Sequence, residues 1–102
     1  MSATRFTVPA SHPSLPGHFP GRPVVPGVVL LARVLAAIEA EHGPLPALRL
    51  PQVKFMRPLL PGEPAVIELE SIDSATGAAR WRFRVLREAD GAVLTSGEFA
   101  GA

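Results

Sequence analysis

The chain contains no cysteine, which excludes disulfides, thiolate metal sites and a thiol nucleophile, and agrees with a cytoplasmic address. It also lacks an excess of either charge. Ten Lys/Arg stand against nine Asp/Glu, a formal net charge of +1, so no global field favours nucleic acid or a membrane surface, and neither is an expected partner. Long hydrophobic runs are missing too. Pro9, Pro13, Pro16 and Pro20 interrupt the first part of the chain and leave no block of signal-peptide length. The greasiest stretch, Pro23 to Ala32, is bounded by Arg22 and Arg33 and falls short of the roughly 20 residues that a spanning helix needs. His12, His18 and His42 lack paired metal-ligand spacing, so no metal is expected.

What is present fits one small globular unit. The 102 residues are read as a single domain over positions 1–102. Hydrophobic residues make up 47% and charged residues 19%, too apolar for a disordered chain and slightly rich for a small solvated monomer. That excess points to a buried subunit interface. A chain of this size buries roughly 65% of the surface its unfolded form exposes, so a deep substrate tunnel calls for a second subunit.

The periodicity predicts one helix and several strands. Arg5 to Val8 alternates as a short strand that Pro9 stops. Gly27 to Glu41 reads as a helix, opened after Pro26 and closed by His42, Gly43 and Pro44. Its apolar residues cover almost the whole circumference, so it is expected to be surrounded by protein. Strand character follows in Ala47–Met56, Ala65–Ser71, Ala79–Arg87 and Ala92–Phe99, with turn signals at Pro61-Gly62, Thr76-Gly77 and Asp90-Gly91. Trp81, Phe83 and Val85 alternate with Arg80, Arg82 and Arg84, the mark of a half-buried strand. The expected architecture is α+β: an antiparallel sheet of about five strands curled around one long helix.

Between these elements lies a stretch with chemical character, Gly17-His18-Phe19-Pro20-Gly21-Arg22-Pro23-Val24-Val25-Pro26-Gly27-Val28. Its prolines and glycines fix a rigid irregular path, suited to holding a side chain in place. Gly27 opens the helix, where the N–H has no intrahelical acceptor and faces the positive end of the dipole, a suitable donor to an oxyanion. The same glycine equally serves a tight entry into the helix. A second block follows at Val53-Lys54-Phe55-Met56-Arg57-Pro58-Leu59-Leu60-Pro61-Gly62-Glu63.

In the order and spacing of these two blocks the chain resembles the single-hotdog 3-hydroxyacyl-acyl carrier protein dehydratases, especially the short members associated with bacterial aryl-polyene and related pigment clusters. The likeness implies a hotdog fold working as a dimer, homodimeric or mixed with another hotdog subunit. An acyl chain on the phosphopantetheine of an acyl carrier protein would enter between subunits, with no cofactor of the protein's own. It implies that His18 is the catalytic base taking a proton from C2, that the Gly27 N–H binds the thioester carbonyl, and that Phe19 and Pro26 lie against the substrate. A carboxylate on the other subunit's helix assists loss of the 3-hydroxyl in the family. Here that position is Ala32.

Alanine neither donates a proton nor orients a water, so one member of the acid/base pair is missing. Glu39 lies on nearly the same helical face but about 10 Å further along the axis, beyond direct reach. Arg33 points elsewhere and is no general acid at neutral pH. Three readings follow: an active or impaired dehydratase with its acid from elsewhere, a half-site subunit of a mixed dimer, and a non-catalytic binder of carrier protein or acyl thioester. A hotdog thioesterase is the rival enzyme class, weakened by the same absent carboxylate. The stripe of Arg80, Arg82 and Arg84 suits an acidic carrier protein, although an ordinary solvated strand face accounts for it better. Lys54 and Arg57 fall near the expected tunnel mouth, with solvated charge as their plain reading.

Overall fold

Pro51 interrupts a strand, and a strand containing proline belongs at a sheet edge or a bulge because proline brings no N–H to the ladder. Both hold here. The computed structural model describes residues 2–9, 24–43, 48–72 and 79–101. Among them lie β1 (Ser2–Phe6), α1 (Gly27–His42), β2 (Leu48–Phe55), β3 (Ala65–Ile72), β4 (Arg80–Arg87) and β5 (Val93–Gly101). The strands form one antiparallel sheet in the order β1-β3-β4-β5-β2. β2 is an edge strand, and its register against β5 shifts between Arg49 and Gln52, around Pro51.

The expected alternation places the core. Trp81, Phe83 and Val85 on β4 are buried, while Arg82 and Arg84 face out. Ile67 and Leu69 on β3, across from Val85 and Phe83, extend the same apolar face. Onto it α1 lays a single stripe of Val29, Leu30, Val34, Ala37 and Ile38. Full burial of such side chains contributes about 1.5–3 kcal/mol each. The architecture is the α+β hotdog arrangement of one helix against a five-stranded antiparallel sheet.

Two expectations need correction. The first strand begins earlier and ends at Phe6 rather than Val8. Phe6 pairs with Ala65, the first residue of β3, and Pro64 just before it brings no N–H to extend the ladder. Nor is α1 surrounded by protein within one chain. Val28 is 70% exposed, and Ala32 and Ala36 also face outward, because the sheet covers only the stripe named above.

The turns follow their sequence signals. Gly62 takes φ +85° after Pro61, and the Glu63 N–H donates to the Leu60 carbonyl at 3.2 Å, the pattern in which glycine tolerates a positive φ at the third position. Asp90-Gly91 joins β4 to β5, with Gly91 at φ +70°. The Ala92 N–H donates to Asp90 Oδ1 at 3.1 Å, and chiefly this bond, helped by Arg87, holds the Asp90 carboxyl below its ordinary value. At the end of α1, Gly43 adopts φ +93° and its N–H reaches the Glu39 carbonyl. The Thr76-Gly77 turn lies outside the described residues.

Candidate functional site

The stretch Val24–Gly27 enters α1 without a side-chain cap; Pro26, with φ −59° and ψ 144°, occupies the cap position. Proline at that point supplies extended backbone and a carbonyl, which accepts from Val29 N at 2.9 Å. Gly27 is the first helical residue, and its N–H therefore has no acceptor within the helix. Facing this stretch is Phe55–Leu59, the exit from β2. Between the two lies a cavity of about 430 Å³, with Leu30 also on its wall.

Backbone bonds fix both walls. Val25 N donates to Leu59 O at 2.8 Å, which ties the helix entry to the opposite side. Met56 N and Arg57 N both donate to Leu94 O, at 2.8 and 3.2 Å. From β4, Arg87 Nη2 donates to Pro58 O at 3.0 Å. Polar backbone groups in this loop thus find partners on α1's entry and on two strands, as buried amides require. The floor is apolar: Val25, Leu30 and Leu59 are all nearly inaccessible. Phe55 and Met56, at 54% and 49% exposed, form an open rim.

One close approach sets the shape of the inner end. A Cβ on Gly27 would lie 2.6 Å from Cε1 and 2.8 Å from Cζ of Phe55. Only a residue without a side chain lets that ring sit there, so the structural reason for glycine holds whatever its N–H binds. Sequence reasoning placed Phe55 in the second block and assigned it no role. No spacing rule connects two residues joined only by the curl of the sheet.

Of the residues expected at the site, Gly27 and Pro26 line this cavity. His18 and Phe19 lie outside the described residues. Ala32 is on the exposed face of α1 and does not line the cavity. Among the described residues no carboxylate lines it, and Arg57 is its one charged residue. Lys54 does not line it. His42, at the far end of the helix, packs edge-on to Trp81 with ring centroids 5.2 Å apart. No group of three or more His, Asp or Glu side chains is placed to hold a metal among the described residues.

The arginine stripe is occupied by its own sheet. Arg84 Nε donates to Glu68 Oε1 at 2.9 Å. Arg82 lies 3.9 Å from both Glu70 and Glu98. Arg80 Nε is 3.1 Å from Glu98 Oε2, an ion pair without hydrogen-bond geometry. The register explains the pattern, since Glu68 pairs with Arg84, Glu70 with Arg82, and Arg82 with Glu98. These exposed pairs add little stability, but they cancel the field that a docking partner would feel. The face also lies across the sheet from the cavity-bearing helix entry. Arg33, set over the Phe6 ring at 5.7 Å, has its face on a separate groove along β1.

Comparison with known proteins places these observations. No helix among the described residues is long and apolar enough to cross a membrane. The chain is 33% identical over 98 residues to the 3-hydroxyacyl-acyl-carrier-protein dehydratase FabZ of Proteus mirabilis (strain HI4320), covering 86% of this chain and 64% of that protein. It thus spans about 64% of the length of that curated relative. The fold is shared with the dehydratase heterocomplex ApeI:P from Xenorhabdus doucetiae, at TM-score 0.72 and 18% identity over 98% of this chain and 86% of that one. It is shared as well with Slr0204, a 1,4-dihydroxy-2-naphthoyl-CoA thioesterase from Synechocystis, at TM-score 0.70 and 14% identity over 96% and 77%. Dehydratase and thioesterase on one fold show that architecture alone does not select the reaction. Residues 2–98 match the family profile of the ApeI dehydratase, and the chain belongs to the ApeI-like dehydratase family.

Proposed function

We propose that this chain eliminates water from a 3-hydroxyacyl thioester delivered on the phosphopantetheine of an acyl carrier protein, in fatty-acid or aryl-polyene biosynthesis in the cytoplasm. The observation that carries the reading is the apolar cavity ending on Gly27, where helix N–H groups without intrahelical acceptors stand ready for a carbonyl oxygen. Family membership supplies the reaction class.

In this scheme His18 takes a proton from C2. The charge that develops on the thioester oxygen is held by the Gly27 N–H, while Phe19 and Pro26 flank the acyl chain. The C3–O bond then breaks, the C2=C3 double bond forms, and the departing hydroxyl takes up a proton to leave as water. Elimination of water changes no overall oxidation state, so the scheme calls on no redox cofactor. A purified sample given a 3-hydroxyacyl thioester should develop the absorbance of a conjugated enoyl thioester. Release of free thiol instead would overturn the reading in favour of a thioesterase.

The proton for the leaving hydroxyl favours a second subunit. No carboxylate lines the cavity among the described residues, and Ala32 with Val28 lies on an uncovered helix face. Phe55, Met56 and Leu60 are exposed apolar residues near the same end, so a hotdog partner would bury them. A homodimer would then lack the acid twice over, whereas a mixed dimer receives it from the other chain's helix. Titration with a hotdog subunit that carries the carboxylate should raise turnover well above that of either chain alone. Unchanged turnover across the titration would reject the mixed site.

A further inference from the structure

We infer that Arg57 is the anchor for the phosphate of the phosphopantetheine arm, and so the residue that separates phosphorylated from unphosphorylated thioester carriers. The inference deepens the proposed function and rests on its thioester substrate. Among the described residues, Arg57 is the one charged residue on the wall of the cavity that ends on Gly27. It is also exposed, whereas Val25, Leu30 and Leu59 at the floor are buried. The cavity is therefore graded, apolar inside and cationic at the rim.

A phosphopantetheine thioester is graded in the same sense. Its acyl group is apolar, its amide arm is neutral, and its one anion is at the end that the carrier holds. With the acyl group on the apolar floor, the phosphate is left toward solvent at the rim, where a guanidinium offers paired N–H donors to phosphate oxygens.

Two further observations make the cation suitable. The ion pairs among the described residues engage Arg5, Arg80, Arg82, Arg84 and Arg87, and none of them engages Arg57. A ligand phosphate displaces no carboxylate of the described residues there. The backbone beneath it is pinned, with the Arg57 N–H and its neighbour Met56 both donating to Leu94 O. Less freedom is lost on binding when the base of the side chain is already fixed. By contrast, Arg80, Arg82 and Arg84 have acidic partners of their own, so among the described residues the basic group placed to meet the arm is Arg57 at the cavity mouth.

The phosphate is common to carrier protein and coenzyme A, so the test uses the shared part and then each source. Calorimetric titration of the purified full chain would compare a saturated acyl phosphopantetheine thioester with the same acyl pantetheine thioester lacking the phosphate. Neither can undergo elimination. Tighter binding of the phosphorylated form, on the order of tenfold, is expected from a charge-assisted contact. Arg57→Gln should bring the two within about twofold, and Arg33→Gln, on the other groove, should keep the full preference. Acyl-coenzyme A and acyl-carrier protein should each lose affinity in Arg57→Gln by a similar factor. Equal binding of both small thioesters to the unaltered chain, or a preference that survives Arg57→Gln, would overturn the inference. A phosphate preference that depends on Arg57, beside release of free thiol from a 3-hydroxyacyl thioester in the separate turnover assay, would reject the dehydratase reading and leave the anchor standing.

Discussion

The Phe55 ring occupies the space where a side chain on Gly27 would begin, with Cε1 2.6 Å from the site of a Cβ. The blocking atoms are the far end of a half-exposed side chain, so the clash can be relieved by swinging the ring. Gly27→Ala should therefore unfold at nearly the same denaturant concentration, with a cost of about 1 kcal/mol or less. Its turnover should fall about tenfold or more as the ring is driven toward the cavity. Phe55→Leu in that background should recover part of the loss. Parallel urea and rate measurements on the three variants check this.

Gly97 supplies the opposite case. A Cβ there would meet the Gln52 carbonyl oxygen, with Phe83 Cζ at 2.9 Å and Val53 Cα at 3.0 Å. Backbone of the neighbouring strand cannot swing aside. Gly97→Ala is expected to destabilise by about 3 kcal/mol, at the upper end of overpacking. A stability within about 0.5 kcal/mol of the parent would show that β2 and β5 part more easily than their close approach implies.

Ala32→Glu adds a carboxylate on an exposed helix position and should leave stability within about 0.5 kcal/mol. If the missing acid limits the reaction, dehydration should accelerate by about two to four orders of magnitude. Ala32→Asp, with a shorter reach, should gain less. A folded Glu variant with no gain would mean that the proton comes from another group.

Thr95 is completely buried, and its hydroxyl has no hydrogen-bond partner among the described residues. An orphaned buried hydroxyl costs about 1–3 kcal/mol. Thr95→Val keeps the shape and removes the polar atom, so its melting temperature should rise by about 4–8 °C for each kcal/mol recovered. A fall would mean that the hydroxyl is engaged.

The β4–β5 turn should respond to acid. Asp90 binds the Ala92 N–H and Arg87 in its ionised form, so its folded value is depressed below 3.8. A depressed carboxylate supports the fold above the unfolded value and loses that support as pH falls through the folded one. Protection of the Ala92 amide, measured against the intrinsic exchange rate at each pH, should therefore fall below about pH 4. Asp90→Asn should flatten this pH dependence of protection.

Much of the architecture was legible because single residues carried unambiguous physics. The alternation around Trp81, Phe83 and Val85 could be satisfied only by a sheet with one wet face, and the Asp90-Gly91 pair marked the turn between two strands. Less visible were relationships made by register. The pairing of Arg82 with Glu70 and Glu98 turns a basic stripe into a neutral ladder, and no local pattern announces it. The end of β1 was misjudged for a similar reason, since Pro64, just before the partner strand β3, decides it rather than Pro9. Around the cavity, Gly27 and Pro26 lie in the first block and Arg57 was already placed near a tunnel mouth, whereas Phe55 acquires its place from the curl that brings β2 back to the helix entry.

The bond from Val25 N to Leu59 O makes a crosspiece between the chain entering α1 and the chain leaving β2. Strain applied at the outer rail of the sheet is therefore felt at the first turn of the helix. A second molecule that zippers onto that rail would set the aim of the Gly27 amide as it docks, so assembly and chemical competence would be gained in one motion.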